Sequence, residues 1–315
     1  MDDLISTVIC INVIAMILTI LATCSRVGRR VFIVHAFSWH DAFITIAAIN
    51  ALVTSLLQMY GTGYGLGQHM KNIEPKAMPK LLKIIFSSTF PYYICNWAVK
   101  HALLLFYAEI SFARSHRILM YIMHFVAFGF GLSSILVTVF QCTPVRKAWQ
   151  LELDGHCINF IIFSYINASI MVITDLVLYI MPVVFTRNLQ LRRAQRIGLN
   201  CMFGMGILVL SASVMRLHTV HMLAQDADFS YRFANAMIWA VIENHLAIIV
   251  ACAPSIKSIV MLVFPHIASS FRRTMSRLTT SSKDVSSVSV REIINVDIEM
   301  GDKSKTEEIG LVSQR

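Results

Sequence analysis

The sequence predicts an all-α membrane protein, a seven-transmembrane helix bundle with its N-terminus outside the cell and its C-terminus in the cytosol. Composition is the first reason: 56% of the 315 residues are hydrophobic and 14% are charged, whereas soluble domains carry about 25% charged residues. Second, seven apolar runs are each long enough to cross a bilayer, which takes about 20 helical residues. Third, arginine is concentrated in alternate connections between the runs, and this sets their orientation.

The apolar runs are expected to be helices rather than barrel strands, because barrel strands alternate over only about 10 residues. A helix also closes its own backbone hydrogen bonds, which lipid cannot do for it. Seven such runs in series make buried helices of a soluble protein an implausible alternative. The runs lie at about 4–24, 41–60, 84–110, 118–140, 159–185, 197–222 and 234–263.

The connections after runs 1, 3 and 5 contain arginine and no acidic residue, so they are predicted to face the cytosol. The other connections mix both signs and are predicted to face outside. The net charge of +9 is thereby explained by topology, and no nucleic-acid partner is expected. The nine arginines of the cytosolic connections are Arg26, Arg29, Arg30, Arg114, Arg117, Arg187, Arg192, Arg193 and Arg196.

Residues 1–265 are predicted to form the membrane domain, and residues 266–315 a cytosolic, largely disordered tail. The tail begins with serine, threonine and basic residues and is expected to be solvated, with contact of its first part with anionic headgroups as the alternative. The first residues, MDDL, are acidic, so run 1 is expected to act as an uncleaved insertion signal. The expected location is the plasma membrane, crossed several times.

Glycine occupies every second position of GTGYGLG at residues 61–67. This spacing fits neither a dinucleotide fingerprint nor a Walker loop. Glycine ends helices because it tolerates positive φ. The segment is therefore predicted to be a tight, bent exit from helix 2, with ligand contact by its backbone as the alternative.

Only two of the seven cysteines, Cys142 and Cys157, share one predicted outer loop. The exterior is oxidising and permits a disulfide. We therefore predict a Cys142–Cys157 disulfide, with Cys95–Cys157 as the alternative. The remaining cysteines are expected to act as small apolar residues of the helices.

Four charged residues fall inside apolar runs, where a charge is costly and normally meets a partner or a water-filled cavity. Counted at 1.5 Å per residue, Lys100 and Asp175 lie near the midplane, and Arg216 and Glu243 lie in the outer third. We therefore predict two interhelical bridges, Lys100–Asp175 and Arg216–Glu243. Three roles stay open: holding the bundle together, lining a ligand cavity or acting as a lock, and conducting protons or ions.

The sequence contains no set of residues that predicts catalysis, so the chain is not expected to be an enzyme. No metal site is expected, since His218 and His221 supply only two ligands at helical spacing. No cofactor is expected either.

An ordered set of residues resembles the fungal rhodopsin-like integral membrane protein domain. This seven-helix family includes candidate fungal surface-sensing G-protein-coupled receptors. The chain departs from the family pattern in having His40-Asp41 where two adjacent acids often open helix 2. The matching residues are Asp41, YGLGQH at 64–69, Lys100, Cys142, Pro144, Trp149, Gly155, Cys157, Asp175, Pro182, Gly198, Gly204, Arg216, Trp239, Glu243 and Pro254.

The resemblance implies a receptor-like fold and supplies no ligand. Retinal is not expected, because the only lysine of helix 7, Lys257, lies near its cytosolic end. Helix 3 ends without a D/E-R-Y triplet and helix 7 lacks N-P-x-x-Y, so these motifs do not support coupling to G proteins.

The predicted function is that of a membrane receptor-like sensor with a ligand cavity in the outer half of the bundle. The alternative is a small-solute transporter or channel. The sequence shows no inverted repeat and no broken helix pair, and this argues against the alternative. The expected partners are the lipid bilayer, an unknown small ligand and a cytosolic signalling protein.

Overall fold

The computed structural model describes residues 4–35, 38–110, 114–187, 193–225 and 228–263. The described residues form seven long α-helices and one small β-hairpin. The predicted tail at 266–315 lies outside the described residues, as do Arg192 and Asp226. The helices are α1 Ile5–Gly28, α2 Trp39–Thr62, α3 Met78–Ile110, α4 Arg114–Val139, α5 Phe160–Arg187, α6 Arg193–Gln225 and α7 Phe229–Val263.

Six of the seven helices are long and apolar enough to cross a membrane, and α3 is the exception among the described residues. Polar side chains such as Ser88, Asn96, Lys100 and His101 lower the hydropathy of α3, and all four are buried. This helix packs against α2, α4 and α5 and bonds to α6 and α7. A helix enclosed by other helices need not be apolar all round.

Large apolar side chains cover the outside of the bundle. Phe125 is 79% exposed and Ile173 is 60% exposed. A soluble monomer seldom exposes wide apolar patches, so this surface suits a lipid environment. The helices therefore bury their polar residues and expose their apolar ones.

Small residues line the contacts of α2, α3 and α7. Ala47, Ala51, Ala98 and Ala251 belong to one buried cluster, which also contains the thiols of Cys95 and Cys252. Small side chains allow membrane helices to approach closely. The cluster joins α7 to α2 and α3 through buried side chains.

Several helices are longer than the sequence predicts, and two predicted loops are wrong. Residues 25–30 (SRVGRR), in the predicted connection after run 1, are helical. Here α1 continues to Gly28 and is followed by a π-helical turn, Arg29–Val34. The predicted connection after run 3, ARSHR at residues 113–117, is helical from Arg114, the first residue of α4. In the first case the charge does not end the helix because Arg26 has a buried carboxylate partner, Asp41.

The segment after α2 forms the predicted turn. Gly63 is still in the right-handed helical region, whereas Gly65 and Gly67 have φ of 104° and 91°. The Gly67 carbonyl accepts the Leu4 amide at 3.0 Å, and the Gly65 carbonyl accepts the Ser230 hydroxyl at 2.8 Å. The turn thus joins α1, α2 and α7 at one end of the bundle.

Gly65→Ala is expected to lower the free energy of unfolding by roughly 1–3 kcal/mol, the usual cost of a strained backbone. The added Cβ would also lie 2.9 Å from Cγ1 of Ile73. Gly63→Ala is the matched control, because its φ is −65°. Thermal melts of both purified variants test this prediction, and an equal loss in both would contradict it.

Candidate functional site

Both ion pairs are present in the structure, each buried between helices. Lys100 Nζ lies 3.0 Å from Asp175 Oδ1 and joins α3 to α5. Arg216 Nε lies 2.7 Å from Glu243 Oε2 and joins α6 to α7. The structure thus pairs the four charges as their depths in the sequence predict.

The Arg216 cluster consists of Tyr92, Asn96, Arg216 and Glu243. Besides its bond to Glu243, Arg216 donates through Nη1 to the Tyr92 hydroxyl at 2.7 Å. Asn96 Nδ2 donates to the other carboxylate oxygen of Glu243, Oε1, at 3.3 Å. All four residues are at most 8% exposed, so the cluster joins α3, α6 and α7 in the interior.

Glu243 lies further from the start of its helix than the sequence predicts, whereas Arg216 lies at the predicted distance from the end of α6. Helix α7 begins at Phe229 instead of 234, so Glu243 lies fourteen residues after its first residue. At 1.5 Å per residue this is about 21 Å along the helix. Arg216 lies nine residues before Gln225, the end of α6.

The Lys100–Asp175 pair has two hydroxyl partners. Lys100 Nζ donates to Thr174 Oγ1 at 2.5 Å, and Ser213 Oγ donates to Asp175 Oδ2 at 3.0 Å. Asp175 is the more accessible partner, with a side chain 14% exposed. The pair therefore links α3, α5 and α6 through charge-assisted bonds, which are stronger than neutral ones.

A second buried polar network, which the sequence analysis missed, joins α1, α2 and α7. Asn12, Thr19 and Arg26 follow one another at intervals of seven along α1, and each is at most 3% exposed. Thr19 Oγ1 and Ser55 Oγ flank the ring of His245 at 2.6 and 3.0 Å. The heptad spacing of polar residues in an apolar run is the signal that could have revealed it.

The deepest charged group of this network is Asp41, which has no exposed surface. Its Oδ1 accepts Arg26 Nε at 2.8 Å, and its Oδ2 lies 3.2 Å from Arg30 Nε. His40 Nε2 lies 3.2 Å from Oδ1, and the Ser38 amide donates to Oδ2 at 3.2 Å. We call Arg26, Arg30, His40 and Asp41 the Asp41 cluster.

The Asp41 cluster also holds α7. Arg26 Nη1 donates to the carbonyl of Ala251 at 2.5 Å. Since His245 bonds to α1 and α2 while Glu243 bonds to α3 and α6, opposite faces of α7 enter the two networks. Helix α7 is therefore the element that both networks share.

The predicted disulfide joins Cys142 and Cys157. The two cysteines face each other in an antiparallel pair of strands, Cys142–Thr143 and His156–Cys157. The alternative with Cys95 is wrong, because Cys95 is a free, buried thiol. Trp149 of the same loop packs on Phe86 of α3, with ring centroids 5.4 Å apart.

We call this end of the bundle, with the connections at 63–77 and 140–159 and with Asp228 just before α7, the hairpin end. Here Asp228 joins the 63–77 connection to the start of α7. Its Oδ2 lies 2.8 Å from His69 Nδ1, and its Oδ1 accepts the Met70 amide at 2.8 Å. The bond with His69, followed by that of Met70, lowers the pKa of the Asp228 carboxyl.

Asp228→Asn is expected to reduce the thermal stability at pH 6 and to have less effect at pH 3. A carboxyl with a lowered pKa stabilises the fold above its ordinary pKa of 3.8, and this contribution is lost as the pH falls through the lower value. Melting temperatures of the two proteins at both pH values test this. Asp154→Asn, at an exposed position of the hairpin loop, is the control and should show no such pH dependence.

In the part of the chain that the structure describes, no three His, Cys, Asp or Glu residues are grouped to hold a metal ion. His221 instead packs on Tyr165, with ring centroids 5.9 Å apart. Lys100 is committed to Asp175 and Thr174. The functional candidates are therefore the two interhelical ion pairs with their hydrogen-bond partners, and the polar network that joins α1, α2 and α7.

Comparison with known proteins gives one family. The family model described as Fungal rhodopsin domain matches residues 25–262. The SAT4 family membrane protein of Emericella nidulans is 26% identical over 221 residues, which cover 69% of this chain and 55% of the relative. The Satratoxin biosynthesis SC1 cluster protein 4 of Stachybotrys chartarum is 27% identical over 168 residues, covering 51% and 59%.

A more distant relative matches over a longer range. The Wortmanamides biosynthesis cluster protein C of Talaromyces wortmannii is 21% identical over 246 residues, covering 76% of this chain and 64% of the relative. The chain thus spans between half and two thirds of the length of these three relatives.

Proposed function

The chain belongs to the Fungal rhodopsin domain family, and on this basis we propose that it is a receptor-like sensor of the fungal plasma membrane. All seven helices cross the bilayer, including the enclosed helix α3. The N-terminus and the hairpin end face outside, and the C-terminus faces the cytosol. This orientation rests on the arginines in the opposite connections.

The observation that carries the proposal is the buried Arg216 cluster. A charged pair inside the membrane is costly and tends to mark a functional site. This pair lies on the hairpin side of the midpoint of α7, where a ligand entering from outside would meet it. We propose that a small ligand binds there and favours one of two packings of α7.

The proposed ligand is a small metabolite. Two of the relatives are described as proteins of satratoxin and wortmanamide biosynthesis clusters. We further propose that the chain is not an enzyme and that its tail contacts a cytosolic signalling protein. The family name does not imply that this chain binds retinal. Retinal does not fit, because Lys100 is held by Asp175 and the described α7 residues up to Ile256 contain no lysine.

Transport is the competing function, because buried ion pairs also occur on solute pathways. Deletion of the gene followed by complementation distinguishes the two. The readout is the change in transcription that the proposed metabolite elicits in the parent strain. We expect wild type and Glu74→Gln, an exposed control, to restore this response, and Glu243→Gln to reach the membrane without restoring it.

Vesicles containing the purified protein complete this test. The proposal requires that they move neither protons nor labelled metabolites faster than empty vesicles. Flux that Glu243→Gln abolishes would instead establish transport and reject the sensor.

A further inference from the structure

One nitrogen of the buried Arg216 guanidinium makes no hydrogen bond to any described residue. Arg216 uses Nε for Glu243 and Nη1 for Tyr92, but Nη2 makes no hydrogen bond with the described part of the chain. Arg216 is 5% exposed. Buried polar groups are nearly always hydrogen-bonded, so an unmade bond at a charged donor calls for a physical reason.

The reason lies in Asn96. Guanidinium and carboxylate groups often pair through two parallel bonds, which would place Nη2 on Oε1 of Glu243. Here Oε1 instead accepts Asn96 Nδ2 at 3.3 Å. Oε1 can accept more than one hydrogen bond, so Asn96 acts by orienting the carboxylate: its bond directs Oε1 toward α3, and Arg216 is held to Glu243 through a single hydrogen bond.

The surroundings define what can bind to Nη2. Tyr92, which holds Nη1, belongs to a buried apolar cluster with Tyr93, Met171 and Ala240. The positive charge of Arg216 is already matched by Glu243, and that of Lys100 by Asp175. An additional carboxylate would bring an unmatched charge into the interior, which is strongly unfavourable.

We propose that Arg216 Nη2 donates a hydrogen bond to the neutral carbonyl oxygen of an otherwise apolar ligand, and that Asn96 keeps this donor available. The proposal rests on the proposed function, since it requires that a ligand reach the Arg216 cluster. Ketones, esters, lactones and amides carry suitable oxygens. Asn96 is a positioning residue, because it acts on the ligand through Glu243 and Arg216.

The test uses three probes of similar size on the full chain in lipid nanodiscs. Acetophenone labelled with carbon-13 at its carbonyl supplies a neutral acceptor, ethylbenzene supplies none, and benzoate supplies an anion. Infrared difference spectra report the carbonyl stretch, which moves to lower frequency on hydrogen bonding. Melting temperatures over a concentration series give the relative affinities.

We expect a saturable, down-shifted carbonyl band with wild type, and a stronger stabilisation by acetophenone than by ethylbenzene or benzoate. Arg216→Lys keeps a positive charge beside Glu243 but has no Nη2, so it should weaken acetophenone binding about tenfold or more. Asn96→Leu should have the same effect, because the Glu243 carboxylate is then free to turn Oε1 toward Nη2 and form the second parallel bond. Asn50→Leu, at a partly exposed helix position, should bind like wild type.

Three results would overturn the proposal: no shifted band with wild type, equal or tighter binding of ethylbenzene or benzoate, or an unchanged band in folded Asn96→Leu. Failure of the proposed function would look different. It would appear as solute flux in vesicles, and it would leave the acetophenone band intact.

Discussion

Asp41→Leu is expected to lower the free energy of unfolding by about 3–5 kcal/mol, the usual cost of removing one partner from a buried ion pair. Asp41 is fully buried, accepts a hydrogen bond from Arg26 and forms an ion pair with Arg30. Its loss leaves two arginine charges at the end of α1 without their common partner. We expect little monodisperse protein after detergent extraction and a large fall in melting temperature.

Arg26 supplies the internal check on this prediction. Arg26→Leu should also destabilise the fold, because it removes the bonds to Asp41 and to the Ala251 carbonyl. The double variant Asp41→Leu with Arg26→Leu should lose less stability than the sum of the two single variants, since the effects of coupled residues on stability are not additive. Asp154→Asn is the surface control. Strict additivity, or wild-type stability of Asp41→Leu, would refute the Asp41 cluster as a clamp.

Glu243→Leu is expected to have a similar effect, about 3–5 kcal/mol, because it leaves Arg216 buried without a counter-charge. The same change removes the acceptor of Asn96. Thermal unfolding of the purified variant, followed by tryptophan fluorescence, measures the loss. The proposed signalling response should disappear with it.

The double variant Arg216→Met with Glu243→Leu separates stability from signalling. Apolar replacement of a whole buried pair is often neutral or stabilising, so this variant should regain most of the lost stability and still give no response. Glu152→Leu, at an exposed position of the hairpin loop, is the control. A stable double variant that signals normally would show that the pair only holds helices together.

The parts of the fold that sequence alone predicts are those with a strong local signal. Apolar runs located the seven helices, and isolated charges at matched depth indicated Lys100–Asp175 and Arg216–Glu243. Cys142 and Cys157 were the two cysteines within one loop. In each case the relevant residues stand out from their immediate neighbours.

Sequence reasoning missed the Asp41 cluster because charged residues at the end of an apolar run are also typical of a loop. Arg26 and Arg30 follow an apolar run, and the contrast with their neighbours indicated the end of a span. Their partner is on the next helix, and only tertiary packing shows that α1 continues past Arg26 and leads into the π-helical turn that contains Arg30. The apparent cytosolic charge after run 1 is thus partly a buried ion pair.

The availability of Arg216 Nη2 was also beyond sequence reasoning. It depends on how the bond from Asn96 orients the Glu243 carboxylate, which is a matter of side-chain geometry. The sequence places Asn96 four residues before Lys100, which puts both on the same face of α3. It does not show that the two side chains serve different ion pairs.

The proposed sensor requires that the hairpin end face outside, and cysteine labelling on intact cells measures this. Glu152→Cys lies in the hairpin loop, and Ser281→Cys lies in the proposed cytosolic tail. A membrane-impermeant maleimide should label Glu152→Cys on intact cells, and Ser281→Cys only after permeabilisation. The reverse pattern would place the hairpin end in the cytosol and exclude a ligand that reaches Arg216 from outside.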